Sequence, residues 1–162
     1  MIHILLSCTL IYSCGIYSFT GASIPHDAKT VSVSYFTNTA TNSPSSLNQT
    51  MTEGLKDLFV SQTNLYLADN QADLSFTGEI TKYQISPIAI QANETAGKNR
   101  LTISVKVKYN NKIDSQQNFE NTFSRYQDFN NTENLAEIES NLIEGISNEL
   151  IEDIFNKAFV NW

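Results

Sequence analysis

Cysteine is nearly absent from this sequence: Cys8 and Cys14 are the only two among its 162 residues. Both lie close to the N-terminus, so disulfides cannot hold together the long segment that follows them. That segment must be stabilised by its hydrophobic core. A single domain of this length can bury roughly two-thirds of the surface that its unfolded chain exposes.

Long apolar runs are lacking too, and none approaches the ~20 residues that a membrane-spanning helix needs. The apolar run within the first 12 residues is typical of a cleavable signal. It leads into Ile-Tyr-Ser-Cys-Gly at residues 11–15, which fits a lipobox because a small residue immediately precedes the cysteine. We therefore predict a lipoprotein signal peptide at residues 1–13. The mature protein, a single domain of residues 14–162, would be lipid-anchored at Cys14.

Two alternatives stay open for the N-terminal segment. A second lipobox ends at Cys8, but it would leave an apolar run of only four residues before cleavage, where about seven are usual. Residues 4–12 could instead form a buried strand, with Cys8 and Cys14 as a disulfide or as two core thiols. The first three residues carry no Lys or Arg, which is atypical of a signal, whereas the small residues Ser13 and Gly15 around Cys14 favour processing there.

Positive charge is scarce in the chain. Ten Lys and Arg residues stand against 17 Asp and Glu, a formal net charge of −7. A nucleic acid is therefore not an expected partner, because binding to its phosphates requires a basic surface.

Catalytic motifs are missing as well. The glycines are scattered and form no phosphate-binding loop, and the mature chain has one histidine, His26. A histidine-rich metal site or a Ser-His-Asp triad would have to use His26, which we interpret as an exposed loop residue. We therefore predict a protein that is not an enzyme, with no catalytic residue, no metal site and no cofactor.

Alternating apolar residues predict the strands. Residues 29–36 form a first strand, and residues 73–86 a second that is bent at Gly78 and ended by Pro87. Residues 101–109 alternate most regularly of all. A tight turn at residues 110–112 would follow, with a return strand that completes a long antiparallel hairpin.

Apolar residues spaced by three and four predict two helices. The first covers residues 47–62 and is capped by Ser45 or Ser46. The second is long, begins near Asn130, which could cap it, and has an acidic outer face. The order of strand, helix, three strands and helix predicts an α+β fold. In it, two helices pack on one face of a mixed, mostly antiparallel four-stranded sheet.

Half of the basic residues fall in one short segment. Five of the ten lie between residues 98 and 112, and Arg100, Lys106 and Lys108 share one face of the predicted third strand. This positive patch could attract an anionic group such as a phosphorylated glycolipid head. The alternative is an ordinary charged sheet face that prevents aggregation of edge strands.

Several segments together resemble the LptE family, the lipopolysaccharide-assembly lipoproteins of the bacterial outer membrane. The similarity covers Cys14-Gly15-Ile16-Tyr17 after the lipobox and continues to the C-terminus. Its further segments are residues 31–36, 47–60, 74–80, 99–109 and 154–162. No single segment is a catalytic motif, so the likeness rests on their order and lengths.

The resemblance implies a location and a role. Proteins of this family are anchored on the periplasmic side of the outer membrane and sit inside the β-barrel protein LptD. The two deliver lipopolysaccharide to the outer leaflet without covalent chemistry. Basic residues of the family are linked to lipopolysaccharide binding, a role that we carry over to Lys98, Arg100, Lys106 and Lys108. The alternative is a free-standing periplasmic lipoprotein that binds a small ligand or a peptide in a groove of the sheet.

Overall fold

Six strands and two helices are present in the computed structural model, which describes residues 24–89 and 97–160. The strands are β1 (Thr30–Val33), β2 (Thr37–Asn38), β3 (Tyr66–Leu67), β4 (Leu74–Ile88), β5 (Lys98–Asn111) and β6 (Phe119–Asn130). The helices are α1 (Ser46–Gln62) and α2 (Leu135–Phe159). The predicted signal peptide and the lipidation site at Cys14 lie outside the described residues.

The strands form one mixed sheet in the order β3-β1-β4-β5-β6, and β2 pairs with β4. The three short strands pair in parallel, whereas the long β4–β5 and β5–β6 ladders are antiparallel. The predicted α+β class is confirmed, but the sheet has six strands and not four. The two extra strands, β2 and β3, are each two residues long, too short to show an alternating pattern.

A single hydrophobic core joins the two helices to one face of the sheet. The odd-numbered residues of β5 are buried in it: Leu101, Ile103, Val105, Val107 and Tyr109. Their even-numbered neighbours therefore lie on the face turned away from the helices, which we call the outer face. Between the sheet and the helices, the rings of Phe59, Phe76, Tyr109 and Phe159 form a cluster in which neighbouring centroids lie 4.7 to 6.3 Å apart.

A bulge divides β4 into two halves. The register slips between Ile80 and Lys82, so that Thr81 has no partner on β5. One extra residue exchanges the two faces of a strand, so the side turned to the helices changes from even numbers up to Ile80 to odd numbers after the bulge, where Tyr83 packs against the core. The predicted bend at Gly78 is therefore wrong in position. Gly78 instead makes room for Phe36, whose ring would lie 2.2 Å from a Cβ added there.

Pro87 does not end its strand as predicted. It stays paired with Asn99, and β4 continues to Ile88. Past the contact of β2 with Ile80, the other edge of β4 pairs with no strand of the described chain. A proline is tolerated at such an edge, because its missing N–H costs no ladder hydrogen bond there.

The hairpin between β5 and β6 is confirmed, but its connection is wider than the tight turn predicted at residues 110–112. Asn110 and Asn111 belong to β5, and residues 112–118 form the connection, with a short 3₁₀ helix inside it. The side-chain oxygen of Asn111 accepts hydrogen bonds from the N–H groups of Ile113 and Asp114, at 2.9 and 3.0 Å. These bonds stabilise the longer connection.

The two helix starts differ in how they are capped. Helix α1 follows Ser45, whose side chain makes no capping hydrogen bond. Helix α2 begins at Leu135, and Asn134 caps it by accepting from the N–H of Ala136 at 3.2 Å. The predicted cap at Asn130 is wrong, because the Asn130 N–H instead donates to Glu133 at 2.7 Å in the turn before the helix.

Candidate functional site

The four basic residues predicted to bind an anion all lie on β5. Because they occupy even-numbered positions, the alternation of the strand places them on the outer face. They do not form one patch. Arg100 and Lys106 are six positions apart, a distance of roughly 20 Å along a strand. The structure therefore divides the predicted patch into a pair at Lys98 and Arg100 and a second pair at Lys106 and Lys108.

The pair at Lys106 and Lys108 lies beside a polar groove of about 340 Å³. Glu79 of β4 is opposite Lys106, and Glu120 of β6 is opposite Lys108. The Lys106 Nζ lies 2.5 Å from a carboxylate oxygen of Glu120, and this hydrogen bond raises the pKa of Lys106 and lowers that of Glu120. Lys108 forms no ion pair within the described chain, so it is the more available cation of the two.

Arg100 is held rigidly at the other end of β5. Its Nε and Nη2 donate to the two carboxylate oxygens of Asp128, at 2.7 and 2.9 Å. These bonds raise the pKa of Arg100 and lower that of Asp128. The guanidinium also lies 3.6 Å from the ring centroid of Tyr126, a cation–π contact. An anion at this end would have to compete with Asp128 for the donors of Arg100.

The outer face of the three long strands retains an excess of positive charge. Its acidic residues are Glu79, Glu120 and Asp128, and its basic residues are Lys82, Lys98, Arg100, Lys106 and Lys108. The balance is +2, in contrast to α2, where six acidic residues and one lysine give −5. The two faces of the molecule therefore present opposite charge, which favours an anionic ligand on the sheet side.

Sequence reasoning missed the partners of these cations. Glu120, Tyr126 and Asp128 sit on β6, and they meet β5 because of the register that the hairpin connection fixes. It also missed Arg125, on the helix side of β6, which forms a two-pronged ion pair with Asp153 of α2 at 2.6 and 2.7 Å. Alternating burial places these residues on the correct faces, but the pairing across strands needs the exact length of the connection.

Other catalytic or metal-ligating groups are few in the described residues. His26 is exposed, as interpreted from the sequence, and no cluster of three metal-ligating side chains exists in residues 24–89 and 97–160. Within the same ranges, neither helix is long and apolar enough to pass through a bilayer. The excess of positive charge makes the outer face of the sheet the candidate functional surface of the described domain.

The fold is shared with several bacterial proteins of known structure. A homologue of a putative neuraminyllactose-binding hemagglutinin from Helicobacter pylori aligns with a TM-score of 0.58 at 8% identity, over 87% of this chain and 88% of that one. A hypothetical protein from Chlamydia trachomatis aligns with a TM-score of 0.53 at 10% identity, over 83% and 99%. A minor lipoprotein from Acinetobacter baumannii aligns with a TM-score of 0.51 at 12% identity, over 80% and 91%. At such low identity these likenesses show the fold alone.

Sequence comparison is more specific. No curated protein matches the chain. The family described as lipopolysaccharide-assembly, LptE, matches residues 28–158, which include every strand of the sheet, all of α1 and nearly all of α2. The resemblance found in the separate segments thus extends over the whole folded domain, and the chain belongs to the LptE family of lipopolysaccharide-assembly proteins.

Proposed function

We propose that the protein is a non-enzymatic component of the outer-membrane lipopolysaccharide translocon. In this role it plugs and supports the LptD β-barrel and assists the insertion of lipopolysaccharide into the outer leaflet. The observation that carries the proposal is the family match over residues 28–158, which spans the whole folded body. A minor lipoprotein shares the fold, in keeping with a lipid-anchored protein on the periplasmic side of the outer membrane.

The polar outer face of the sheet suits the proposed plug. Short hydroxyl side chains and charged residues alternate with the buried positions of β4 and β5, so this surface can form hydrogen bonds with a polar neighbour. The lumen of a large β-barrel is lined by polar groups and water. An interface of this kind needs no extensive apolar area, because bridging waters and hydrogen bonds can fill it.

The lipopolysaccharide phosphates would bind at the cations of β5. Lys108, together with Lys106, supports contact with one phosphate beside the groove. Lys98 and Arg100 lie too far away to bind the same phosphate and would contact a second anionic group. Lipid at Cys14, after removal of residues 1–13, would keep the body close to the barrel and raise its local concentration there.

Copurification tests the proposal directly. Tagged protein is extracted in mild detergent from the outer membranes of its own cells, and the proteins that remain bound are separated by size. We expect a stoichiometric β-barrel of the LptD type, which an unrelated tagged lipoprotein of the same membrane does not retain. A lone monomer would contradict the translocon role and favour the free-standing lipoprotein that binds a small ligand or a peptide.

A further inference from the structure

The sheet ends in two very different edges. On one side the edge strand β3 is two residues long, and on the other β6 is twelve residues long. β6 pairs with β5 from Phe119 to Asn130 without a register shift, and no strand of the described chain covers its other side. About half of the backbone N–H and C=O groups of such a strand point away from the sheet.

The backbone of β6 lacks the usual protection of an edge. The strand contains no proline, no lysine and no bulge. In the described part of the chain, two hydrogen bonds outside the β5–β6 ladder reach its backbone, and both are at Asn130. Its N–H donates to the Glu133 carboxylate at 2.7 Å, and its C=O accepts from the Glu133 N–H at 3.0 Å. From residue 119 to residue 129 the outward groups are therefore free to pair with another strand.

The charged side chains of β6 do not block this edge either. Glu120 forms an ion pair with Lys106 of β5, and Asp128 forms one with Arg100 of β5, so both carboxylates are drawn toward β5 and away from the open edge. Arg125 could protect the edge, because a charge on the buried side of an edge strand discourages pairing with another strand. Asp153 holds its guanidinium through two hydrogen bonds, however, and so draws it toward α2.

Helix α2 gives the edge a negative border. Gly145, Glu149 and Asp153 lie on the side of α2 that faces β6. A Cβ added at Gly145 would be 3.0 Å from the side-chain oxygen of Gln127. The two carboxylates outnumber Arg125, which leaves one negative charge at the edge. A second copy paired through β6 would bring two α2 helices, each of net charge −5, side by side. Their repulsion disfavours a symmetric dimer.

We propose that β6 accepts an extended, basic segment of another polypeptide as an additional strand of the sheet. Main-chain hydrogen bonds would supply the affinity, as in other cases of strand addition. Lys or Arg side chains on the helix side of the added strand would lie next to Glu149 and supply the preference for a basic segment. This proposal does not depend on the binding of lipopolysaccharide.

Three synthetic ten-residue peptides test the proposal against the full-length protein. The first alternates Thr and Lys, the second alternates Thr and Glu, and the third is the first with two of its threonines replaced by proline. Binding is followed by NMR, from chemical shifts and from the hydrogen exchange of backbone amides. We expect the Thr-Lys peptide to protect amides between residues 119 and 129, and to bind at least tenfold more tightly than the other two.

Two charge-neutralising variants complete the test. Glu149→Gln removes a carboxylate at the edge and should weaken the Thr-Lys peptide about threefold. Glu152→Gln makes the same change on the side of α2 that faces α1, beside Asp57, and should leave binding unchanged. The proposal is overturned if the proline peptide binds equally well, if protection maps outside β6, or if both variants weaken binding equally. Self-association of the protein through β6 would also overturn it, because the occupant would then be a second copy.

Discussion

At the scale of single residues, the contact between Phe36 and Gly78 leaves no room for a side chain at residue 78. Phe36 is fully buried, and its ring lies where a side chain at residue 78 would begin. We expect Gly78→Ala to lower the free energy of unfolding by about 1–3 kcal/mol, the usual range for an overpacked core. Urea unfolding followed by circular dichroism measures the change.

Gly145→Ala is the matched control for this prediction. The added Cβ there would meet the end of the flexible Gln127 side chain at 3.0 Å, and not a buried ring. Alanine is favoured over glycine inside a helix by about 1 kcal/mol, so this variant should be as stable as the original protein or more stable. Equal destabilisation by both substitutions would contradict the role assigned to Phe36.

At the scale of secondary-structure elements, the two helix caps should differ in their contribution to stability. Asn134 makes a capping hydrogen bond and Ser45 makes none. We expect Asn134→Ala to cost about 1 kcal/mol of unfolding free energy, the typical value for a lost cap. Ser45→Ala should change it by less than about 0.5 kcal/mol, the usual range for a surface substitution. Thermal unfolding of the two variants side by side gives the comparison, and a larger loss for Ser45→Ala would refute it.

The lysines of β5 carry the prediction for ligand binding. Replacing Lys106 and Lys108 together by Glu should weaken binding to purified lipopolysaccharide about tenfold, equivalent to ~1.4 kcal/mol. The reversed charges would repel its phosphates, while the fold should survive because both side chains are exposed. Fluorescence titration with labelled lipopolysaccharide measures the affinity.

The control reverses two lysines on the helices, Lys56 and Lys157, and so changes the net charge by the same amount. Its affinity for lipopolysaccharide should stay within about twofold of the original. Salt screens distant charges, so the charges at the contact surface, and not the net charge of the protein, determine the affinity. Similar losses in the two double variants would show that β5 is not the contact surface.

Regular elements could be predicted from the sequence, and short or irregular ones could not. Strand β5 and helix α2 are long enough for their periods of two and about 3.6 residues to be read without ambiguity. The bulge at Thr81 is also present in the pattern, as the change from even to odd apolar positions, but a glycine inside a strand is itself typical of a bend and directs the prediction to Gly78. The wider hairpin connection depends on side-chain hydrogen bonds of Asn111, which periodicity does not report.

The candidate site was predicted to a similar extent. Alternation correctly placed the basic residues of β5 on the face away from the core, because a buried strand leaves no other choice. Their grouping into one patch was wrong, since a strand extends by about 3.3 Å per residue and separates positions that are close in sequence. The sequence did not predict Glu120 and Asp128 as partners of the basic residues, because the length of the hairpin connection decides which residues of β6 lie opposite those of β5.

At the scale of the whole molecule, the proposed lipid anchor separates attachment from folding. Among the described residues the buried core begins at Val31, with Ile24 and Ala28 packed against it, so changes at Cys14 should leave the folded body intact. We expect the original protein to incorporate labelled palmitate in growing cells and Cys14→Ser to lose the label. Several acyl chains, each gaining about 0.8 kcal/mol per buried CH₂, would make the anchor durable.

Cys8→Ser is the control for the anchor, because the lipobox at Cys14 is unchanged by it. This variant should keep the label, and mass spectrometry of its N-terminus should show a modified Cys14. Retention of the label by Cys14→Ser, or its loss from Cys8→Ser, would move the processing site to Cys8 and contradict the predicted boundary at residue 13.

The unequal borders of the sheet set a limit on assembly. One border, β3, offers two residues, too few to hold another strand, while the opposite border offers a full strand length. An open-ended filament needs two complementary interaction sites on every subunit. In the described ranges β6 is one such site, and the other unpaired stretch, β4 after Ile80, contains Pro87, which has no N–H for a further strand. Growth into fibres is therefore limited by the architecture of the sheet and not by the solubility of its surface.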